Sequence, residues 1–538
     1  MLRRLFLALS TGLLLALAWP DKGFPFLALI GFVPLLILHN ELALSHQKRQ
    51  GWRIFGWSYL AFLVWNLITT WWIYYASPLG MLLAVLCNTA MMATLMVLYH
   101  KAHRLLDLKR AALALLVLWT GWEWLTLNWD LSWPWLNLGN AFAHYPNWVQ
   151  WYEHTGPAGG TLWIMASNLV LFSAWKRMPR VKTMSGRFAV ITALLLLLIV
   201  VPGFISLLVK EKTQAAETIE VVVVQPNIDP YEEKFSREEM EMVEEMIAEA
   251  ESLMTDSTRF VIFPETALPS GIIESRLYES RALVRLTEWI ANYPNSKLIT
   301  GASTYNVYEN EAERTTTARR STSGFWYDVY NTGLLITASG VEEIYHKSKL
   351  VVGVEQMPFY DVIAPLMGEW IIDLGGISGT LSVQDDREVF CNEGACAAPV
   401  ICYESVFPGF VTEYMREGAN FIAIFTNDGW WRNTAGYRQH FQFARLRAIE
   451  NRVAIARSAN TGISGFILPD GSITQTLGWD ERGALRESIP VAQRQTFFSR
   501  QGDYLGRLMA FLSILFIFYL VVAGVLRNSA HAKAKISE

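Results

Sequence analysis

Apolar runs long enough to cross roughly 30 Å of hydrocarbon recur near residues 5–20, 24–40, 54–76, 79–99, 111–129, 161–175, 189–209 and 506–526. Each commits its stretch of chain to a helix, because a backbone polar group in lipid has no water to bond. The pattern predicts about eight spans. It suits a chain of 538 residues that is 52% hydrophobic and only 17% charged, too apolar for a pair of soluble domains. The formal charge of -4 gives no basic footprint, which excludes a nucleic-acid binder. The first run follows Leu2-Arg3-Arg4 and ends in Ala16-Leu17-Ala18, so it also fits a cleavable signal peptide. The apolar run that follows at once, and the even count, favour a retained span.

Short cytoplasmic loops collect Lys and Arg, and here the basic residues alternate along the chain. Arg3 and Arg4, then Lys48, Arg49 and Arg53, then Lys101, Arg104, Lys109 and Arg110 fall on one side. So do Lys176, Arg177, Arg180, Lys182 and Arg187, and finally Arg527, Lys533 and Lys535. The opposite loops, including the aromatic stretch from Trp129 to Gly160, hold no basic residue but Lys22. This predicts a multi-pass protein of the cytoplasmic (inner) membrane with both termini inside. Residues 1–211 form a seven-helix membrane domain, 212–503 an extracytoplasmic domain, and 504–538 the last span and a cytoplasmic tail.

Within 212–503 the apolar runs are short and β-rich: 218–224, 260–263, 297–300, 333–337, 400–402, 421–425 and 465–468. Helical patterns alternate with them. The stretch 236–256 is acidic and amphipathic, with Met240, Val243, Met246, Ile247 and Leu253 on its apolar side, and 437–451 is a second helix. Ala338-Ser339-Gly340 and Pro469-Asp470-Gly471 supply hairpin turns. The alternation predicts α/β layers.

Of the four cysteines, Cys87, Cys391, Cys396 and Cys402, only Cys391 and Cys396 bracket a short loop, and they can pair in an oxidising compartment. Cys402 follows Pro399-Val400-Ile401, Glu265 follows Phe260-Val261-Ile262-Phe263-Pro264, and Lys347 ends another β-rich stretch. All three fall at predicted strand ends. A thiol at a helix start beside an ammonium is expected to ionise below the usual pKa of about 8.5, giving a nucleophile, while a carboxylate moves its protons. Singly, each residue is equally at home as a small core residue, a loop acid or a surface cation.

Together they carry a resemblance. Phe263-Pro264-Glu265-Thr266, Tyr345-His346-Lys347-Ser348-Lys349-Leu350 and Ile401-Cys402-Tyr403-Glu404 stand in the order of the nitrilase superfamily, whose Glu-Lys-Cys triad sits on an α-β-β-α sandwich. Thr300-Gly301-Ala302, Tyr330-Asn331-Thr332-Gly333, Asn427-Asp428-Gly429-Trp430-Trp431 and the segment 444–450 match as well. In the membrane half, Ile30-Gly31-Phe32-Val33-Pro34-Leu35 and Trp133-Pro134-Trp135-Leu136 through Gly139 are similar to segments of the apolipoprotein N-acyltransferase family. The likeness to that family extends over essentially the whole chain. Two places depart from the family pattern: Val352-Gly353-Val354-Glu355 where Pro-Phe-Gly-Glu is usual, and Tyr231 with Phe235 where a Trp is common after Gln225-Pro226-Asn227.

The resemblance implies a thioester on Cys402, formed from a phospholipid acyl donor and passed to the α-amino group of a diacylated apolipoprotein. It makes Glu265 the general base and Lys347 the charge that steadies thiolate and oxyanion. It adds Glu355 as a further essential acid, the Tyr403 backbone N–H as an oxyanion donor, and Glu404, Asn427, Trp430 and Trp431 as supporting or pocket residues. Arg445 and Glu450 can equally be a structural polar network. The apolar stretch from Met357 to Ile372 fits a lid against membrane lipid that keeps water from the thioester. No metal or organic cofactor is suggested. A membrane-tethered amidase using the same triad and a non-catalytic receptor are the competing readings.

Overall fold

A computed structural model of the chain describes residues 1–45, 48–178, 183–210, 217–360 and 380–537. They form two compact units, one of residues 1–71, 81–209 and 503–538, the other of 72–80 and 210–502.

The first unit is helical. Among the described residues six helices are long and apolar enough to cross a membrane: Pro25–Leu44, Gln50–Tyr75, Pro78–Leu105, Tyr152–Arg177, Met184–Val209 and Tyr504–Arg527. Two of the predicted runs lie outside that set. The first folds as Leu2–Leu17, of 16 residues, and the fifth as Leu108–Leu127, interrupted by Lys109, Arg110 and Glu123.

The two membrane-half motifs have a packing reason. The Ile30–Leu35 motif marks a helix break whose freed N–H groups are caught by side chains: Phe32 N–H by Asn168 Oδ1 at 2.8 Å and Leu35 N–H by Thr11 Oγ1 at 3.0 Å. Gly139 of the Trp133 motif lies so close to the next helix that a β-carbon would stand 2.0 Å from the Pro157 carbonyl oxygen. Buried Glu123 fixes the same motif by accepting the Leu138 N–H at 2.8 Å.

The second unit is a sandwich of two sheets. Its strands are β1 Thr218–Gln225, β2 Thr258–Ile262, β3 Leu268–Ile273, β4 Lys297–Tyr308, β5 Arg319–Arg320, β6 Trp326–Thr337 and β7 Gly340–His346. Then come β8 Phe390–Asn392, β9 Ala395–Ile401, β10 Phe421–Thr426, β11 Ile455–Ala459, β12 Ser464–Ile467, β13 Ile473–Leu477 and β14 Gly483–Pro490. One sheet has the order β14-β1-β2-β4-β6-β5, with β3 on β4 and β7 on β6. The other has the order β13-β12-β11-β10-β9-β8.

Burial on both faces explains the continuous apolar strands, such as Val221 to Val224. Val222 and Val224 pack under helices Glu239–Glu251 and Arg281–Ile290 through Val243, Met246, Leu286 and Trp289. The alternate residues turn toward the second sheet. There Phe260 meets Phe421 with ring centroids 5.2 Å apart, and Ser458 donates to the Val224 carbonyl at 2.7 Å. Helices Pro408–Arg416 and Ala435–Asn451 cover the second sheet. This is the α-β-β-α architecture that the resemblance implies.

The predicted hairpins occur at Thr337↔Gly340 and Ile467↔Ile473. β4 and β6 run further than their apolar centres suggested, because they pair from Leu298↔Ile336 out to Tyr308↔Trp326 through polar residues. The acidic helix is shorter than expected and starts at Glu239. The residues before it coil into turns closed by Lys234 N–H and Ser236 N–H. Cys391 and Cys396 are disulfide-bonded across the β8–β9 hairpin.

Gly301 sits where β4 passes behind the loop after β2. A β-carbon there would stand 2.4 Å from the Thr266 nitrogen and 2.7 Å from the Glu265 α-carbon, and backbone cannot give way as a side chain can. We expect Gly301→Ala to lower stability by about 1–3 kcal/mol, read as a lower unfolding midpoint, and to lower activity by displacing Glu265.

Candidate active site

β1, β2 and β4 are mutually parallel in their pairing, and β7, two antiparallel steps from β4, runs the same way. Glu265 and Lys347 therefore leave the same end of one sheet. In the other sheet β9, β10 and β11 are parallel, and Cys402 and Asn427 follow directly on β9 and β10. Strand ends are where side chains escape the ladder. Two of the turns carry the strain that a functional site retains: Thr266 and Cys402 hold φ of 49° and 49° without being glycine.

The centre of the site is Lys347, 1% exposed. Its ammonium donates to Glu265 Oε1 at 3.0 Å and to Glu355 Oε1 at 2.8 Å. Asn331 Nδ2 bridges the same two oxygens at 2.7 and 3.2 Å. The other Glu265 oxygen accepts the Asn427 N–H at 2.9 Å, which ties one sheet's carboxylate to the other sheet's strand end. Glu355 is held by the Val351 N–H at 2.8 Å. The altered motif around Glu355 thus still delivers its carboxylate to Lys347.

Burial works against the charge on Glu265, but Lys347, Asn331 and Lys234 outweigh it and hold the carboxyl below its usual range. Burial likewise opposes the ammonium of Lys347, and Glu265, Glu355 and Cys402 override it, so its pKa lies well above the ordinary value. Cys402 goes the other way from the sequence expectation. Burial and the Glu265 carboxylate push its thiol up, against the pull of Lys347, so the resting sulfur keeps its proton.

The remaining expected residues separate into two kinds. Glu404 is fully buried and accepts from Ile401 N–H at 2.8 Å, Ser348 N–H at 2.7 Å and Tyr345 O–H at 2.7 Å. It locks the Cys402 turn to the Lys347 strand and does not line a pocket. Tyr403 packs edge-on to Phe407 with centroids 5.1 Å apart. Trp430 meets Tyr231, whose hydroxyl donates to the Trp430 carbonyl at 2.7 Å, and Trp431 meets Trp72 at 4.9 Å. Glu450 pairs with Arg447, and Arg445 bonds the Gly471 carbonyl. Most of the expected lid, residues 361–379, lies outside the described residues. Its near end includes Phe359, 41% exposed. Among the described residues no group of three or more His, Cys, Asp or Glu side chains is arranged to hold a metal ion.

Comparison with known proteins agrees on the family. The apolipoprotein N-acyltransferase N-terminal domain matches residues 11–170 and the carbon-nitrogen hydrolase family matches residues 220–497. A Chlorobaculum tepidum protein named apolipoprotein N-acyltransferase is 31% identical, covering 93% of this chain and 93% of its own. The chain belongs to the apolipoprotein N-acyltransferase family. A Geobacter metallireducens protein of that name is 24% identical, over 93% and 92% of the two chains. A solved Saccharomyces cerevisiae member of the nitrilase superfamily is 16% identical with a TM-score of 0.37, covering 54% of this chain and 96% of that one.

Two residues of this family member escape sequence reasoning. Lys234, buried behind Glu265, donates to its carbonyl at 3.1 Å, and burial pushes its pKa down to about 8 against the pull of Glu265 and Cys402. In the sequence it sits in the acidic run Glu232-Glu233-Lys234, which looks like solvated surface. Asn331 stands within a matched motif, but nothing in the motif says that its amide bridges two carboxylates.

Lys347→Met tests the ammonium. Leaving Glu265 beside Glu355 without it should cost about 3–5 kcal/mol at neutral pH. In the native protein the depressed Glu265 pKa contributes stability above the ordinary carboxylate range, lost as pH falls through the depressed value. In the variant burial dominates and raises that pKa, so the slope reverses and stability recovers as pH falls toward about 5. Unfolding midpoints measured from pH 5 to 8 check both signs.

Proposed function

We propose that this chain transfers a fatty acyl group from a phospholipid, through a thioester on Cys402, to the α-amino group of the diacylglyceryl-cysteine that begins an apolipoprotein. The observation that carries the reading is the buried Glu265–Lys347–Glu355 cluster at strand ends beside a strained Cys402, in a chain with helices apolar enough for lipid. The family relationship supports the reading, since the Chlorobaculum tepidum relative is named apolipoprotein N-acyltransferase.

The chemistry follows from the charges. Glu265 takes the Sγ proton as sulfur attacks the ester carbonyl, so the thiolate exists only while it reacts. The oxyanion forms between the Lys347 ammonium and the Tyr403 N–H. Collapse breaks the ester C–O bond, and Glu265 returns its proton to the leaving lysophospholipid alkoxide. In the second half the acceptor amine attacks the thioester, gives a proton to Glu265, and the C–S bond breaks. Glu265 then reprotonates Sγ. Lys347 and Asn331 keep Glu265 ionised at the start of each half, and Glu355 balances the charge of Lys347.

Residues 212–503 act outside the cytoplasm in this reading, with both termini on the cytoplasmic side of the inner membrane. The distribution of Lys and Arg and the Cys391–Cys396 disulfide support that side.

Intact mass of the purified protein incubated with phospholipid is the test. Wild type should gain one fatty-acyl increment, Cys402→Ala none, and a diacylated lipopeptide should remove the increment and acquire it on its amine. An increment lost only to water marks a hydrolase. No increment on folded protein overturns the thioester.

A further inference from the structure

Behind the Cys402 turn lies a chain of buried polar groups that the acyl transfer does not yet use. Arg457 Nη2 donates to Asp428 Oδ2 at 2.5 Å, and Asp428 Oδ1 lies 2.9 Å from His440 Nδ1. The far ring nitrogen, Nε2, lies 3.1 Å from the carbonyl oxygen of Cys402 and 2.8 Å from Ser405 Oγ. Ser405 donates to the same carbonyl at 2.7 Å. Asp428, His440, Arg457 and Ser405 are all 0% exposed.

A carbonyl can only accept, so it takes the N–H of Nε2; burial holds the ring's pKa down, and its other nitrogen, Nδ1, lies 3.2 Å from Arg457 Nη2, which can only donate. Burial opposes ionisation of Asp428, but Arg457 and His440 outweigh it and keep the carboxylate charged. The imidazole is then fixed in plane from both edges. Trp431 packs edge-on against it with centroids 5.5 Å apart, which blocks rotation.

The carbonyl of Cys402 shares a rigid peptide plane with the N–H of Tyr403, and in a trans peptide the two point in opposite directions. All peptides described here are trans. Two donors gripping the oxygen therefore aim the N–H. They also hold the backbone of a residue whose φ of 49° is unfavourable for any residue but glycine.

We propose that His440, seated on Asp428 and acting with Ser405, is a positioning residue that clamps the Cys402–Tyr403 peptide plane and so points the Tyr403 N–H at the developing oxyanion. The inference rests on Cys402 being the acyl-bearing nucleophile. His440 touches no reacting atom; its effect reaches the substrate through the Tyr403 N–H alone.

Two near-isosteric variants divide the ring. In His440→Gln the side-chain amide reaches the place of Nε2, keeping a donor to Cys402 while losing Asp428; in His440→Asn it reaches only the place of Nδ1, keeping Asp428 while losing Cys402. The rate of acyl-mass gain is measured against phospholipid concentration in the full-length protein. We expect His440→Asn to acylate ~100-fold more slowly with KM within ~3-fold of wild type, and His440→Gln to stay within ~10-fold. Equal losses in both, a loss carried by KM, or wild-type rates in His440→Asn would overturn the clamp.

If neither variant folds, Ser405→Ala removes one of the two donors. A rate ~3–10-fold lower at unchanged KM supports the clamp, and an unchanged rate overturns it. Wild-type protein that never gains acyl mass refutes the thioester reading instead, which separates the two failures.

Discussion

One ammonium in a dry place organises this active site. Lys347 is inside the protein only because two carboxylates meet it there, and those carboxylates are tolerable only because Lys347 and Asn331 meet them. Removing Lys347 leaves two carboxylates side by side with no ammonium between them. That mutual dependence fixes where β2, β7 and the segment carrying Glu355 end, and through the Asn427 N–H it reaches the second sheet. The geometry of the nucleophile turn is set by a separate carboxylate, Glu404, which bonds backbone on both sides of the gap.

The electrostatics favour a charged Glu265 beside a protonated Cys402. A permanently ionised buried thiol beside Glu265 would put two negative charges together in a low-dielectric site. Burial and the Glu265 carboxylate favour the protonated thiol of Cys402, while Lys347 and Asn331 favour the charged acid. A resting thiol is also a poor target for oxidants compared with a thiolate.

Much of this was legible in the sequence. Hydropathy marked the helices, and the pattern of short β-rich runs placed Glu265, Lys347 and Cys402 at strand ends before any coordinate was known. The side chains that make those ends into a site were harder to see. Lys234 hides in an acidic run, and His440 sits in a helix where Gln439, Phe441 and Gln442 beside it give no local sign of its partners. Their roles depend on burial and on partners more than thirty residues away, which local periodicity does not encode. The expected direction of the Cys402 shift failed for the same reason: the nearby ammonium was foreseen, whereas complete desolvation and the proximity of Glu265 were not. Leu108–Leu127 carries polar groups among its apolar residues, one of which, Glu123, is a packing device that no periodicity marks.

The unit that bears the site is discontinuous in the chain. Residues 72–80 belong to it, and they are not passengers: Trp72 is buried against Trp431, Gly436 lacks a β-carbon where that indole lies, and the Tyr75 carbonyl accepts from the Tyr231 hydroxyl at 3.0 Å. Arg432 lies over the rings of Tyr75 and Tyr231. A gene fragment spanning 210–502 would therefore encode a sandwich with an indole-sized hole beside Trp431, a defect on the scale of a Trp→Ala change, about 3–5 kcal/mol. The surface beside Trp431 and Gly436 is thus shaped to receive a peptide that the chain supplies more than three hundred residues earlier.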